Sequence, residues 1–304
     1  SAMGNRIGLA LGGGGVRGLA NIGAVKALLE AGIVPDFVTG TSMGAIVGSL
    51  YADTLDIGHV ERTIRALLSS EEFREKARML PGGSDLDRGF FDRVFDTAKK
   101  GYFFYRFMFR ESVVSAGAFF SEMDRLIPDK NFSGLKIPFA CMALDLVSGL
   151  PQIIRSGPLR VAVKASSAVP GILPPVPIDG RACVDGGWVE SVPISAARVL
   201  GARFVIAVDV SRDIEPINYR EEIRNSMDIL MRAGDVTRLI MNTLRVRDAD
   251  FVIHPEVGDA DWSEFEDVDT YISAGYRAAM AAMPALKRAM KIHRIRTLLP
   301  WKRK

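Results

Sequence analysis

Asp36-Phe37-Val38-Thr39-Gly40-Thr41-Ser42-Met43-Gly44-Ala45 reads as a strand, a turn and the opening of a helix. Asp36 to Thr39 has extended character, and the small residues from Ala45 to Ala52 continue with helical spacing. Between them lies Gly40-Thr41-Ser42-Met43-Gly44, a serine flanked at two residues' distance by glycines. A strand-to-helix turn this tight leaves no room for Cβ atoms at the flanking positions, and it thrusts the serine hydroxyl out of the backbone. The helix starting at Met43 aims its free N–H groups and positive dipole end at the same point, where an oxyanion would form. Ser42 is therefore a candidate nucleophile. The plainer alternative, a glycine-rich turn with no chemistry, is weakened by the strand before it and the helix after it.

Upstream, Ile7 to Leu11 reads as a strand and Gly12-Gly13-Gly14-Gly15 as a loop. Leu19, Ile22, Gly23, Lys26 and Leu29 then recur with helical spacing up to Gly32. Such a loop at a helix N-terminus is an anion-binding nest. A phosphate-binding Walker loop requires Gly-Lys-Ser/Thr, whereas Gly18 is followed by Leu19-Ala20. Gly13-x-Gly15-x-x-Gly18 matches a dinucleotide fingerprint, but that site needs an acidic residue at the far end of the second strand, and Asp36 stands at its start. The third reading makes the loop an oxyanion hole for Ser42. Arg17, a cation in the first helical turn, opposes the macrodipole and calls for a negative partner such as a developing alkoxide or a substrate phosphate.

A serine hydroxyl needs a base. The chain has three histidines, His59, His254 and His293, of which His254, at a strand end, is best placed for a triad. Asp185 is the stronger candidate, because it ends the strand-like Arg181 to Val184 and is followed by Gly186-Gly187, which let backbone and substrate approach the carboxylate. Asp179-Gly180 separates two short strand-like runs as a hairpin turn and needs no catalytic role. Asp145 and Asp209, at other strand ends, are reserve candidates without the double glycine. Desolvation and a direct hydrogen bond to Ser42 are what would make an aspartate basic enough.

The loop Gly12 to Gly18, the turn Gly40 to Gly44 and Asp185-Gly186-Gly187, in that order, resemble the patatin-like phospholipase family, bacterial branch. Further matches are Ala165-Ser166-Ser167-Ala168-Val169-Pro170-Gly171, Leu173-Pro174-Pro175-Val176 and Val192-Pro193-Ile194. The resemblance runs from about Arg6 to Val210. It implies a three-layer α/β fold with a central, mainly parallel sheet flanked by helices and a Ser42–Asp185 catalytic dyad. It also implies an oxyanion hole from Gly12, Gly13, Gly14 and Gly15, and hydrolysis of acyl esters of lipids without a metal or other cofactor. Arg17 would steer a phosphate or steady the loop. The implied substrate is a phospholipid or lysophospholipid. Glu190-Ser191 depart from the family, which often carries an asparagine there. A regulatory or lipid-binding adaptor that keeps the pocket without turnover is the alternative reading.

The 304 residues, 48% of them hydrophobic, alternate strand and helix patterns without an evident linker, so residues 4–304 are expected to form one α/β domain. Within it, 53–115 matches nothing in the family pattern. Its rings, including Phe103, Phe104 and Phe107, are expected either to pack in a core or to act as a lid over an acyl chain. No apolar run is long enough to span a membrane. Cys141 and Cys183 read as buried free thiols, and no cysteine or histidine cluster has metal-ligand spacing. Nine lysines and arginines, and no acidic residue, follow Asp269. This basic tail, about 270–304, is expected either to dock on the body or to lie on an anionic membrane surface. No nucleic-acid motif accompanies it. The expectation is a cytoplasmic protein, peripheral at most to the inner membrane face.

Overall fold

The structure is a computed structural model that describes residues 6–71, 116–223, 225–257 and 268–298. In chain order the elements begin with β1 (Ile7–Leu11), α1 (Ala20–Glu30), β2 (Phe37–Gly40), α2 (Met43–Thr54) and α3 (Ile57–Ser69). They continue with α4 (Ala116–Leu126), β3 (Phe139–Asp145), β4 (Pro151–Ile154), α5 (Leu159–Ser166), β5 (Val176–Ile178) and β6 (Arg181–Asp185). After these come α6 (Ile194–Leu200), β7 (Phe204–Val208), α7 (Tyr219–Glu222), α8 (Ser226–Val246), β8 (Phe251–Ile253) and α9 (Val268–Leu298).

The strands form one eight-stranded sheet in the order β5-β6-β3-β2-β1-β7-β8, with β4 paired to β3 off that path. β3-β2-β1-β7-β8 run parallel, and β4, β5 and β6 enter antiparallel at one side. A parallel centre must be covered on both faces, so its strands read as continuous apolar runs. β1 and β7 are buried along their whole lengths. α6 covers one face of β1 and β7 through Ile194 and Ala197, while α1, α2 and α9 share the large core on the other.

The mainly parallel sheet flanked by helices agrees with the expected architecture, and β1 and β6 occupy the strand-like runs read at Ile7 to Leu11 and Arg181 to Val184. The helical pattern up to Gly32 resolves into a 3-10 turn, Gly15–Leu19, followed by α1. Asp179 and Gly180 both have positive φ, 47° and 79°, as a tight two-residue hairpin turn between β5 and β6 requires.

The first part of the basic tail, within α9, docks on the body. Tyr271, Ile272, Ala279, Met283 and Leu286 are buried in the main core, and α1 is the partner helix. Beyond them Ile292 and Ile295 are exposed. Trp301 and the last lysines lie outside the described residues, as do Phe103, Phe104 and Phe107. No described helix is long and apolar enough to cross a membrane.

Candidate active site

Parallel strands deliver their C-terminal ends to one side of the sheet, where open α/β proteins place their sites. The glycine loop follows β1 there, and Ser42 follows β2. Ser42 has φ 53° and ψ −122°, a backbone conformation that costs a non-glycine residue roughly 1–3 kcal/mol. Two close approaches impose it. A Cβ on Gly40 would lie 2.2 Å from the Gly44 carbonyl oxygen, and one on Gly44 would lie 2.1 Å from that of Leu11.

The strained turn is tied down from outside. The Ser42 N–H donates to both the backbone oxygen and the Oγ of Ser166, each at 3.1 Å. The Ser166 hydroxyl in turn donates to Met142 O at 2.6 Å. Ser42 itself is half-buried, so its hydroxyl is reachable by a ligand.

Asp185 ends β6, and its N–H donates to Ala168 O at 2.9 Å. Ser166 and Ala168, at the C-terminal end of α5, thus hold both members of the pair. The Asp185 carboxylate accepts a hydrogen bond from the Gly187 N–H at 2.7 Å, and the Ser42 hydroxyl lies near enough to favour its ionised form. Gly186 allows the turn to press on β3, since a Cβ there would lie 2.5 Å from Met142 O. Burial pushes the Asp185 carboxyl from 3.8 up to about 6, against the opposing pull of the Gly187 N–H, the Ser42 hydroxyl and the Arg238 charge. A carboxylate raised in this way is a better base near neutral pH than an exposed one.

All three histidines are engaged elsewhere. His254 Nδ1 lies 3.8 Å from Asp209 Oδ2, His59 Nε2 is 3.4 Å from the Thr63 hydroxyl, and His293 meets the Phe204 ring edge-on. The reserve aspartates are structural. Asp145 accepts from the Ser148 hydroxyl and the Val147 and Ala182 N–H groups, while Asp209 accepts from Asn242 Nδ2 and the Ser211 N–H.

The four loop glycines divide into two pairs. Gly12 N–H donates to Val208 O at 2.9 Å and Gly13 N–H to Ser191 O at 3.0 Å, so both are already committed. Gly14 and Gly15 are half-buried and their N–H groups have no partner among the described residues. The four-glycine expectation therefore narrows to two available donors. Gly13 serves by close approach instead, since a Cβ there would stand 3.1 Å from the Ser42 Cβ. Arg17 leaves the same turn, its Cβ 3.7 Å from where a Gly14 Cβ would be.

The dinucleotide reading fails on position. The Asp36 carboxylate accepts from the Ile7 N–H at 2.7 Å, at the N-terminal ends of β1 and β2 and away from the glycine loop. The departure at Glu190-Ser191 proves to be internal bracing. Glu190 accepts from the Ser195 N–H and hydroxyl, its backbone oxygen accepts from Thr41 Oγ1, and Ser191 Oγ donates to Gly13 O. Asn21, fully buried, donates to Gly12 O and Gly18 O and pins the loop to α1. The departure at Glu190-Ser191 was the sequence signal for this bracing; the part played by Asn21 had none. Among the described residues, no group of three or more His, Cys, Asp or Glu side chains is placed to hold a metal ion. Cys141 and Cys183 are free and buried, and burial pushes the Cys141 thiol far up, which keeps it unreactive.

Comparison with known proteins identifies the family. A family model described as patatin-like phospholipase matches residues 9–198. The patatin-like phospholipase domain-containing protein ZK370.4 of Caenorhabditis elegans is 37% identical over 218 residues, covering 71% of this chain and 14% of the relative. The patatin-like phospholipase domain-containing protein 6 of Mus musculus is 33% identical over 214 residues, covering 70% of this chain and 14% of the relative. The chain thus spans a small part of the length of these relatives. Among solved structures, VipD from Legionella pneumophila aligns with 94% of this chain and 66% of its own, at a TM-score of 0.48 and 13% identity. From the family match and the identity to these relatives, the chain belongs to the patatin-like phospholipase family, a family of carboxylic ester hydrolases of lipid metabolism.

Proposed function

We propose that this protein hydrolyses the carboxylic esters of phospholipids or lysophospholipids through Ser42 and Asp185. The observation that carries the reading is the Ser42 hydroxyl held beside a buried carboxylate whose pKa is pushed up to about 6, both residues being anchored on Ser166 and Ala168. Ser42 Oγ attacks the ester carbonyl carbon as Asp185 takes its proton. The N–H groups of Gly14 and Gly15, with the positive end of α2, receive the oxyanion. Collapse expels the alcohol, which takes the proton back from Asp185. A water, deprotonated by the same carboxylate, then attacks the acyl-serine and releases the fatty acid and free Ser42. Arg17, beside Gly14, is the proposed guide for a substrate phosphate.

The single sheet supports reading residues 4–304 as one domain.

A fluorophosphonate ester probe tests the nucleophile. It is expected to label the native protein on the peptide containing Ser42 and to leave Ser42→Ala unlabelled. His254→Ala is expected to keep labelling and lipid hydrolysis within about threefold of the native protein, because its ring pairs with Asp209 and not with Ser42. Labelling of Ser42→Ala would mean that another residue is the nucleophile, and loss of activity in His254→Ala would favour a triad.

A further inference from the structure

α8 wears its apolar side outward. Ile229, Leu230, Ile240, Met241 and Leu244 are all exposed, Leu230 at 65% and Leu244 at 50%. At 3.6 residues per turn they fall within about a third of the helix circumference, over a length of about 22 Å. Thr237 is the polar residue within that row. The opposite side of the helix, which faces the body, carries Asp228, Leu239 and Asn242 buried and Met231, Asp235, Val236, Arg238 and Val246 half-buried. An ordinary surface helix keeps its outward face polar, and a contiguous exposed apolar face marks an interaction surface.

The charges beside the row say what kind. α8 and the turn after it carry Arg232, Arg238, Arg245 and Arg247 against Asp228, Asp235 and Asp248. Asp235 is answered by Arg238 at 3.6 Å and Arg212 at 4.0 Å. Arg232 and Arg247 lie along one margin of the apolar row, while Arg238 turns toward the body, where it pairs with Asp235. Apolar side chains bordered by long cations are the pattern of a helix lying in a lipid interface, with the cations at phosphate height. The row also continues into the candidate active site. The ring of Trp188, which directly follows Asp185-Gly186-Gly187, lies 3.7 Å from where a Cβ on Gly234 would stand. Arg238, one turn further along α8, is close enough for its charge to be felt at Asp185.

We propose that the outward face of α8 is the surface on which this protein seats itself on an anionic lipid layer, so that lipid reaches Ser42 past Trp188. The proposal rests on the lipid-hydrolase reading for its purpose, but it is tested without turnover. Ser42→Ala protein is sedimented with vesicles of phosphatidylcholine alone and of equal parts phosphatidylcholine and phosphatidylglycerol. Binding to the anionic vesicles is expected, and Leu230→Gln with Leu244→Gln is expected to weaken it at least about tenfold. Arg232→Gln with Arg247→Gln is expected to weaken it on the order of tenfold and to leave the zwitterionic vesicles unaffected. In the protein with Ser42 intact, the leucine pair should leave hydrolysis of a short soluble ester unchanged, which also shows that the variant folds.

Unaltered vesicle binding by the leucine variant overturns the proposal. So does a native protein that binds neither vesicle but forms a dimer lost in that variant, because the occupant is then a second copy of the chain. Vesicle binding that depends on α8, with no ester hydrolysis by the native protein, supports the docking surface and sinks the hydrolase reading alone.

Discussion

Asp185→Asn is expected to lower kcat/KM for ester hydrolysis by about a thousandfold or more while raising the stability of the fold. The loss follows from chemistry, because an amide in the same place cannot take the Ser42 proton, and removal of a residue that acts as one unit with the nucleophile costs on that scale. The gain follows from burial. Desolvation lifts the Asp185 carboxyl from 3.8 to about 6 in the folded protein, so between those values the folded state holds a proton that the unfolded chain has released. Stability contributed by this group is therefore full below the unfolded pKa and declines as pH rises to about 6. Above that the ionised carboxylate costs up to about 3 kcal/mol. An asparagine carries no such cost and keeps an oxygen for the Gly187 N–H. The variant should melt higher than the native protein at pH 7 to 8, roughly 4 °C or more for a domain of this size, and the difference should close toward pH 4.

The same group sets the acid side of the activity profile. Native kcat/KM should fall as pH drops through about 6, where Asp185 becomes protonated. Arg238→Gln should move that midpoint upward, since the arginine charge favours the ionised form. Retained hydrolysis in Asp185→Asn would remove the aspartate as base. Equal or lower melting at neutral pH would remove the desolvated carboxylate from the account.

How much of this was legible beforehand depends on the range of the interaction. The turn at Ser42 was, because its cause is local: Gly40 and Gly44 abut each other and Leu11. The apolar strand β1 and the hairpin turn at Asp179-Gly180 were legible for the same reason. Which loop glycines keep a free N–H was not. Gly13 gives its N–H to Ser191, a partner far along the chain that no local pattern announces. The motif from Ala165 to Ala168 was visible as a family resemblance, yet its work, one backbone contact to Ser42 and another to Asp185, exists only once β3 and β6 are paired. α8 was illegible for another reason. Periodicity reports that a helix has two faces, and a reader assigns the apolar one to the core; here Leu230 and Leu244 face out while Asn242 is buried on Asp209. In the tail, composition could not separate the part that docks, with Tyr271 and Leu286 buried, from the part that leaves Ile292 and Ile295 exposed.

Gly44→Ala is expected to destabilise the protein by about 4 kcal/mol or more, enough to leave a chain of ordinary stability largely unfolded. The added Cβ would stand 2.1 Å from Leu11 O and 2.8 Å from Gly12 O. Both atoms belong to the backbone of β1 and the glycine loop, so no side chain can swing aside, and relief requires moving the central strand or the helix. Either movement breaks the contact between the loop and Ser42, so any folded remainder should also hydrolyse poorly, the donors of Gly14 and Gly15 having shifted off the nucleophile. Gly58→Ala supplies the contrast. Its Cβ would meet only Arg62 Nη1 and Asp56 Oδ1, each at 3.2 Å, and both are side-chain ends that can yield. Alanine there also removes a glycine from α3, worth roughly 0.5–1 kcal/mol. Urea midpoints for the two variants beside the native protein decide the matter. A Gly44→Ala midpoint within error of native would mean that β1 and α2 can part without cost, and the strained backbone of Ser42 would then need a different explanation.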